Sequence, residues 1–238
     1  MAVVLAEPAM TNNHGLILPV DGYHDELRRA TRDAGTLLAL DETHTLVSGP
    51  GGLVERWSLE PDMVSIGKSA AGGIPMGAYG MTDEVASVFE ADHPDDREEA
   101  PSVATGGTLF ANALTMAAAR AALGEVLTDD AYDHTAELGA ALADGLESVV
   151  RDAGLPWTAH RMYARSGMTF GPAMPRNATE AGASEDRLLT NLARVYLANR
   201  GVWEAIPGAG PTVSIPATRA EVQAYVTAYG DLLTELTR

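Results

Sequence analysis

The first two-thirds of the chain alternates short apolar runs with stretches of helical periodicity, and this alternation constrains the fold more than any other feature. Ala2 to Glu7, Leu37 to Asp41 and Met63 to Ile66 are apolar runs of strand length. Continuous apolarity marks strands buried on both faces of a parallel sheet. Between the first two lies Asp21 to Ala34, where Asp21 can cap a helix, Asp25 and Glu26 fall in the first turn, and Arg28, Arg29 and Arg32 follow toward the C-terminal end. Gly35 can close it. Strand, helix and strand make one βαβ unit, so the pattern predicts an α/β fold with a mostly parallel sheet.

Further along, Thr108 or a near neighbour opens an alanine-rich helix to about Leu127, and Leu138, Leu142, Leu146 and Val149 stripe a second helix that stops at Gly154. Beyond Gly154 the texture changes. Short strands are expected around Met168 to Phe170 and Thr212 to Ile215, with amphipathic helices over about Ser184 to Arg200 and after Thr218. Thr218 and Glu221 have capping-box spacing, and Val222, Tyr225, Tyr229 and Leu232 share one face. The expected organisation is a partial large domain over residues 1–150 and a small α+β domain over residues 151–238. Residues 90 to 107, with Asp92, Asp95, Asp96, Glu98 and Glu99, read as an acidic, mobile loop.

Charge and cysteine content exclude several functions. A formal charge of -17 and a pI near 4.6 repel a strand of phosphates, so nucleic acid is not a partner. The chain has no cysteine, which removes disulfides, thiolate catalysis and cysteine zinc sites together. No stretch reaches the roughly 18 apolar residues of a membrane span. The opening MAVVLAEP has no basic region and too short an apolar run for a signal peptide. These features predict a cytoplasmic protein without a membrane partner.

One residue stands apart within this composition. Of the 16 cations, Lys68 is the only lysine and the rest are arginine. It follows the Met63 to Ile66 run and precedes a glycine-rich stretch, which puts it at the C-terminal end of a strand. A surface charge is the ordinary use of lysine, but this chain writes its other cations as arginine. Arginine stays protonated and cannot form an imine, whereas a desolvated lysine amine can. Phosphate binding fails on the motif, because a Walker A loop needs a glycine where Asp62 stands and a loop where residues 63 to 66 are a β-run. Gly49 to Val54 similarly begins as a dinucleotide fingerprint but has Val54 at the third glycine position, so it reads as a turn. The remaining use is a Schiff base with pyridoxal phosphate, which requires a carboxylate for the pyridinium nitrogen at the end of a neighbouring strand. Asp41, ending the Leu37 to Asp41 run, meets that requirement.

The segments AEPAMTNN, LLALDETHT, PDMVSIGKSAAGGIPMGAYG and GGTLFAN stand in the order and approximate spacing of the class III (ω-type) aminotransferases. Over about its first 115 residues the chain resembles the glutamate-1-semialdehyde aminomutase-like branch and its β-amino-acid aminotransferase relatives. The resemblance implies the fold type I architecture of pyridoxal-phosphate-dependent transferases, a homodimer, and amino-group transfer from an amino donor to a keto-acid acceptor or the related aminomutase shift. It implies that Lys68 is the Schiff-base lysine and proton shuttle, and that Asp41 is the partner of the ring nitrogen. Thr43 then lies against one ring face, where the family usually has valine. Asn12, next to Asn13, falls where the related branch places a polar side chain near the 3-hydroxyl. Thr108 gives its hydroxyl and backbone N–H to the cofactor phosphate of the other subunit, and a helix N-terminus just beyond Gly106 and Gly107 would suit that anion. His44 is a packing or supporting residue. Arg165 and Arg176 are exposed-looking candidates for the substrate carboxylate.

The resemblance also implies a preceding half of comparable size. The expectation is therefore an N-terminally truncated chain whose apolar sheet edge needs a cover. Two uses follow: the C-terminal portion of an aminotransferase or aminomutase, or a non-catalytic remnant or assembly module that keeps the dimer interface.

Overall fold

The computed structural model describes residues 2–11, 15–91, 107–205 and 210–238. Its first sheet has the order β1 (Val3–Ala6), β2 (Leu37–Asp41), β3 (Met63–Gly67), β4 (Gly77–Met81). The first three strands are parallel and β4 runs antiparallel to β3, which gives the mostly parallel α/β sheet expected. The sequence reading did not include β4. Its glycines and the preceding Gly72-Gly73 turn hide it, but pairing of Ile66 with Ala78 and Ser65 with Tyr79 satisfies the free edge of β3.

Helix α1 (Tyr23–Asp33) crosses from β1 to β2. Asp21 does not cap it; Gly22 in the left-handed region takes that place without a side-chain bond, and Gly35 (φ +59°) follows the end of the helix. Arg28 holds Asp62 with two bonds of 2.7 Å, and Asp62 also accepts the Leu38 N–H at 2.7 Å. This ties α1 to the start of β2 and β3 and keeps the Asp62 carboxyl below its usual range, chiefly through the Arg28 hydrogen bonds.

After β2 the chain makes a 3-10 turn over Thr45–Ser48 and the short α2 (Gly52–Arg56), so the segment read as a turn over Gly49 to Val54 is a turn only as far as Gly51 and then opens α2. Helix α3 (Asp83–Ala91) follows β4. Of the acidic loop expected over 90–107, residues 92–106 lie outside the described residues. Helix α4 (Ala113–Ala121) begins later than expected. Its cap is Asn112, whose side chain accepts the Thr115 N–H at 3.0 Å, while Thr108 sits in the turn before it. One π-helical turn over Ala122–Val126 completes the alanine-rich segment.

Helix α5 (Asp129–Asp152) carries the leucine stripe. In the C-terminal region the strand expected around Met168 to Phe170 is β6 (Arg165–Thr169), which starts earlier and pairs antiparallel with β5 (Thr158–Met162), whereas the strand expected over Thr212 to Ile215 is reduced to an isolated bridge of Thr212 to Arg165. The helix expected over 184–200 is α7 (Arg187–Ala198), capped by Asp186 and preceded by α6 (Ala178–Ala183). Helix α8 (Arg219–Leu236) opens with the Thr218–Glu221 capping box. Leu138, Leu142, Leu146 and Val150 of α5 pack with Leu197 of α7 and with Val222, Tyr225, Tyr229 and Leu232 of α8. A second cluster of Ala9, Leu16, Leu53 and Met162 joins the chain after β1 and α2 to the end of β5. Among the described residues, no helix is long and apolar enough to cross a membrane.

Candidate active site

The parallel register brings the strand ends together. Ala6 lies opposite Leu40, and Asp41 lies opposite Ser65, so Glu7, Asp41 and Lys68 follow one another at the carboxyl edge of β1, β2 and β3. Ligands of open α/β sheets gather at this edge.

Asp41 accepts the Thr43 N–H at 2.8 Å. Burial pushes its carboxyl upward, but the Thr43 backbone and side chain, Ser65 and the Lys68 charge outweigh that and hold it below its ordinary range. It is a carboxylate prepared to face a cation. Lys68 is exposed, and its backbone is left-handed at φ +52°, a conformation that non-glycine residues seldom adopt. Thr43 lies near Gly67, the residue before it. A Cβ on Gly67 would lie 3.5 Å from Thr43 Cγ2 and 3.2 Å from the Met76 carbonyl, which leaves little room for any other residue before the lysine.

The left-handed Lys68 gives a prediction. Lys68→Gly relieves a steric cost of roughly 1–2 kcal/mol, less the backbone entropy of glycine of about 0.5–1 kcal/mol. The variant should unfold at a higher urea concentration than the parent, a gain of up to about 1 kcal/mol. A lower midpoint would show that the lysine side chain contributes more through packing than its backbone costs.

Arg165 corrects an expectation. It is 7% exposed rather than open to solvent, and its Nη1 donates to the Thr11 carbonyl at 2.9 Å. It therefore joins β6 to the chain after β1. Burial lowers its pKa, and Glu7 acts in the opposite direction. Arg176 is exposed and engaged with Glu180 at 3.3 Å, away from the strand ends. His44 lies in the field of Lys68, Arg165 and Asp41, and burial followed by the two cations keeps its imidazole below the usual value. Thr108 is exposed in the turn before α4. Asn12 lies outside the described residues.

Sequence reasoning passed over Glu7, Thr11 and Ser65. The signal for Glu7 was available: it ends its strand as Asp41 ends the next. Among the described residues, Glu7 Oε2, Thr11 Oγ1 and His44 Nδ1 are buried polar atoms without a hydrogen-bond partner. Such atoms are costly unless something meets them. No group of three or more metal-ligating side chains was found among the described residues. A cavity of about 490 Å³ lies beyond β6, bordered by Leu16, His160, Met168 and Ser184, and excludes Lys68 and Asp41. Clustered charge, rather than depth, marks the site at the strand ends.

The Aminotransferase class-III family model matches residues 1–156, and the chain belongs to that family. A glutamate-1-semialdehyde 2,1-aminomutase from Desulforapulum autotrophicum is 31% identical over 244 residues, covering 99% of this chain and 53% of the relative. Among solved structures, a glutamate-1-semialdehyde aminomutase from Pseudomonas aeruginosa PAO1 in complex with PMP superposes with a TM-score of 0.92 at 35% identity, over 98% of this chain and 52% of that one. A β-phenylalanine aminotransferase from Variovorax paradoxus gives a TM-score of 0.85 at 28% identity, over 98% and 52%. The chain thus spans about half the length of these relatives, and its fold is that of their pyridoxal-phosphate-dependent class.

Proposed function

We propose that this chain provides the lysine and the ring-nitrogen carboxylate of a pyridoxal-phosphate site, and that it acts in amino-group transfer between an amino donor and a keto acid or in the related 2,1-aminomutase shift. The observation that carries the reading is the placing of the chain's only lysine at the end of β3, beside an aspartate at the end of β2 that its own hydrogen bonds keep ionised. The orphaned atoms of Glu7, Thr11 and His44 add donors and acceptors suited to a polar ligand of this kind.

When bound, the cofactor supplies an electron sink for charge developing at the substrate carbon. Lys68 would hold it covalently through its amine and, once displaced by the donor, carry a proton to and from the reacting carbon. Asp41 would keep a proton on the ring nitrogen. Thr43 would pack against a ring face, with Asn12 near the 3-hydroxyl. Thr108 would serve the phosphate held by a second copy, and the exposed Leu109, Phe110, Leu114 and Met116 around the start of α4 support a homodimer on that side. Transfer and shift draw on the same residues. The cytoplasmic placement and the division at residue 150 expected from the sequence belong to this proposal.

Borohydride reduction after incubation with pyridoxal phosphate tests the assignment by mass. One stoichiometric adduct on the Lys68 peptide is expected, with none on it in Lys68→Arg. Because the chain has one lysine, only the N-terminal amine competes. Labelling confined to that amine would sink the reading.

A further inference from the structure

We propose that the cavity beyond β6 is a second binding site, for a small primary ammonium carried on an apolar body. This site does not rest on the reading above, since neither Lys68 nor Asp41 borders the cavity.

The cavity encloses about 490 Å³, a size that takes a small organic molecule. Leu16 after β1, Met168 and Phe170 at the end of β6, and Ala181 of α6 supply an apolar wall. His160 of β5, Thr169 of β6, Ser184 after α6 and Thr190 of α7 supply the polar part. The hydroxyl protons decide what such a wall can hold. Ser184 donates to the Ala181 carbonyl at 3.0 Å, and a carbonyl can only accept. The 2.9 Å bond between Thr169 and Ser184 therefore carries the Thr169 proton. Thr190 donates to the Asp186 carbonyl at 2.8 Å. A hydroxyl has one proton and two lone pairs, so all three protons are used within the protein and lone pairs are what remains for a ligand.

His160 adds a fourth acceptor. It is 6% exposed, and both its ring nitrogens are buried without a hydrogen-bond partner. That is a cost which a polar group entering the cavity can relieve. His160 pairs with Gly167 across the hairpin, and a Cβ on Gly167 would lie 2.8 Å from the ring Cε1, so the imidazole lies over the glycine. Burial, and after it the Arg165 cation, brings the His160 pKa down to about 4. At neutral pH the ring is uncharged, carries a lone pair on one nitrogen and does not repel a cation.

Three hydroxyls limited to lone pairs and a neutral imidazole match a group that donates and does not accept. An ammonium has three donors and no acceptor, an alcohol has a single donor, and a carboxylate has acceptors alone. The rim does not reverse this choice. Glu185 and Arg187 are both exposed there and carry opposite charges, and the net charge of -17 favours a cation over an anion.

Benzylammonium is the probe, added at neutral pH to the full chain without cofactor, so that no imine forms and the outcome is independent of Lys68. Histidine labelled with 13C at Cε1 reports on the cavity, with the His160 resonance identified by its loss in His160→Gln. That resonance should move saturably with benzylammonium, more weakly with benzyl alcohol and not with benzoate. Thr190→Val keeps the shape and removes one acceptor, and should weaken benzylammonium roughly tenfold, as expected for a hydrogen bond to a charged group. Ser184→Ala removes another acceptor and frees the Thr169 proton, so it should weaken benzylammonium and narrow its preference over benzyl alcohol. If Ser184→Ala does not fold, Thr190→Val on the half-buried side of α7 decides alone. No saturable shift, a response to benzoate equal to that to benzylammonium, or an affinity unchanged in the hydroxyl variants overturns the proposal.

Discussion

Replacing Asp41 with alanine should loosen pyridoxal phosphate by roughly 10- to 100-fold. A hydrogen bond to a charged group contributes about 1.5–3 kcal/mol, and each 1.4 kcal/mol is about tenfold in affinity. Asp41 is well prepared to supply that interaction, because the Thr43 N–H at 2.8 Å and the nearby Ser65 and Lys68 already hold it ionised. Asp41→Asn separates charge from shape, since it keeps an acceptor for the Thr43 N–H and loses only the charge. Fluorescence titration of both variants with the cofactor gives the comparison. Affinities within about twofold of the parent would reduce Asp41 to a turn residue at a strand end, the ordinary use of aspartate there.

Gly139→Ala should be strongly damaging to stability. Gly139 lies in the middle of α5, where glycine normally costs helix stability relative to alanine, so an exposed site would gain from the change. Here an added Cβ runs into the Tyr163 carbonyl oxygen and meets backbone atoms of Ala164 at 3.1 Å. These are main-chain atoms of the turn between β5 and β6, and none can rotate away. Ser166 also donates to the Gly139 carbonyl at 2.5 Å, which locks helix and hairpin at that point. Overpacking a well-filled interior costs about 1–3 kcal/mol, and rigid backbone on both sides puts this case at the upper end. The urea midpoint of Gly139→Ala should drop accordingly. Displacing the hairpin would also draw Arg165 off the Thr11 carbonyl, so any adduct on Lys68 should weaken in the same variant. A parental midpoint would mean that α5 and the hairpin slide past one another without cost.

Much of the site was readable before the fold. Lys68 announces itself by being the only lysine, and Asp41 by ending an apolar run one βα step upstream. Both facts are local, and residues at strand ends in a parallel sheet meet whatever the rest of the chain does. Arg165 shows where local reading fails. Nothing in its neighbourhood in sequence distinguishes it from Arg176, yet one is buried against a carbonyl 154 residues away and the other is at the surface. The helix start at Asn112 rather than Thr108 is a failure of another kind, because both are capping residue types and the backbone geometry selects the asparagine, the better cap of the two. Strand β4 was hidden because glycine is depleted in strands and its pairing partner, not its composition, makes it one.

By itself, then, the sequence determined the α/β class, the family through four motifs in order, and the lysine and aspartate at the ends of neighbouring strands. These depend on periodicity and on residue types that no other residue can replace. The tertiary structure decided which remote groups surround them: Glu7 just past the end of β1 beside β2 through strand order, Arg165 against the Thr11 carbonyl through the docking of the β5–β6 hairpin, and the left-handed backbone of Lys68. Such facts depend on register and packing between segments far apart in the chain, where a shift of one residue turns a side chain to the opposite face.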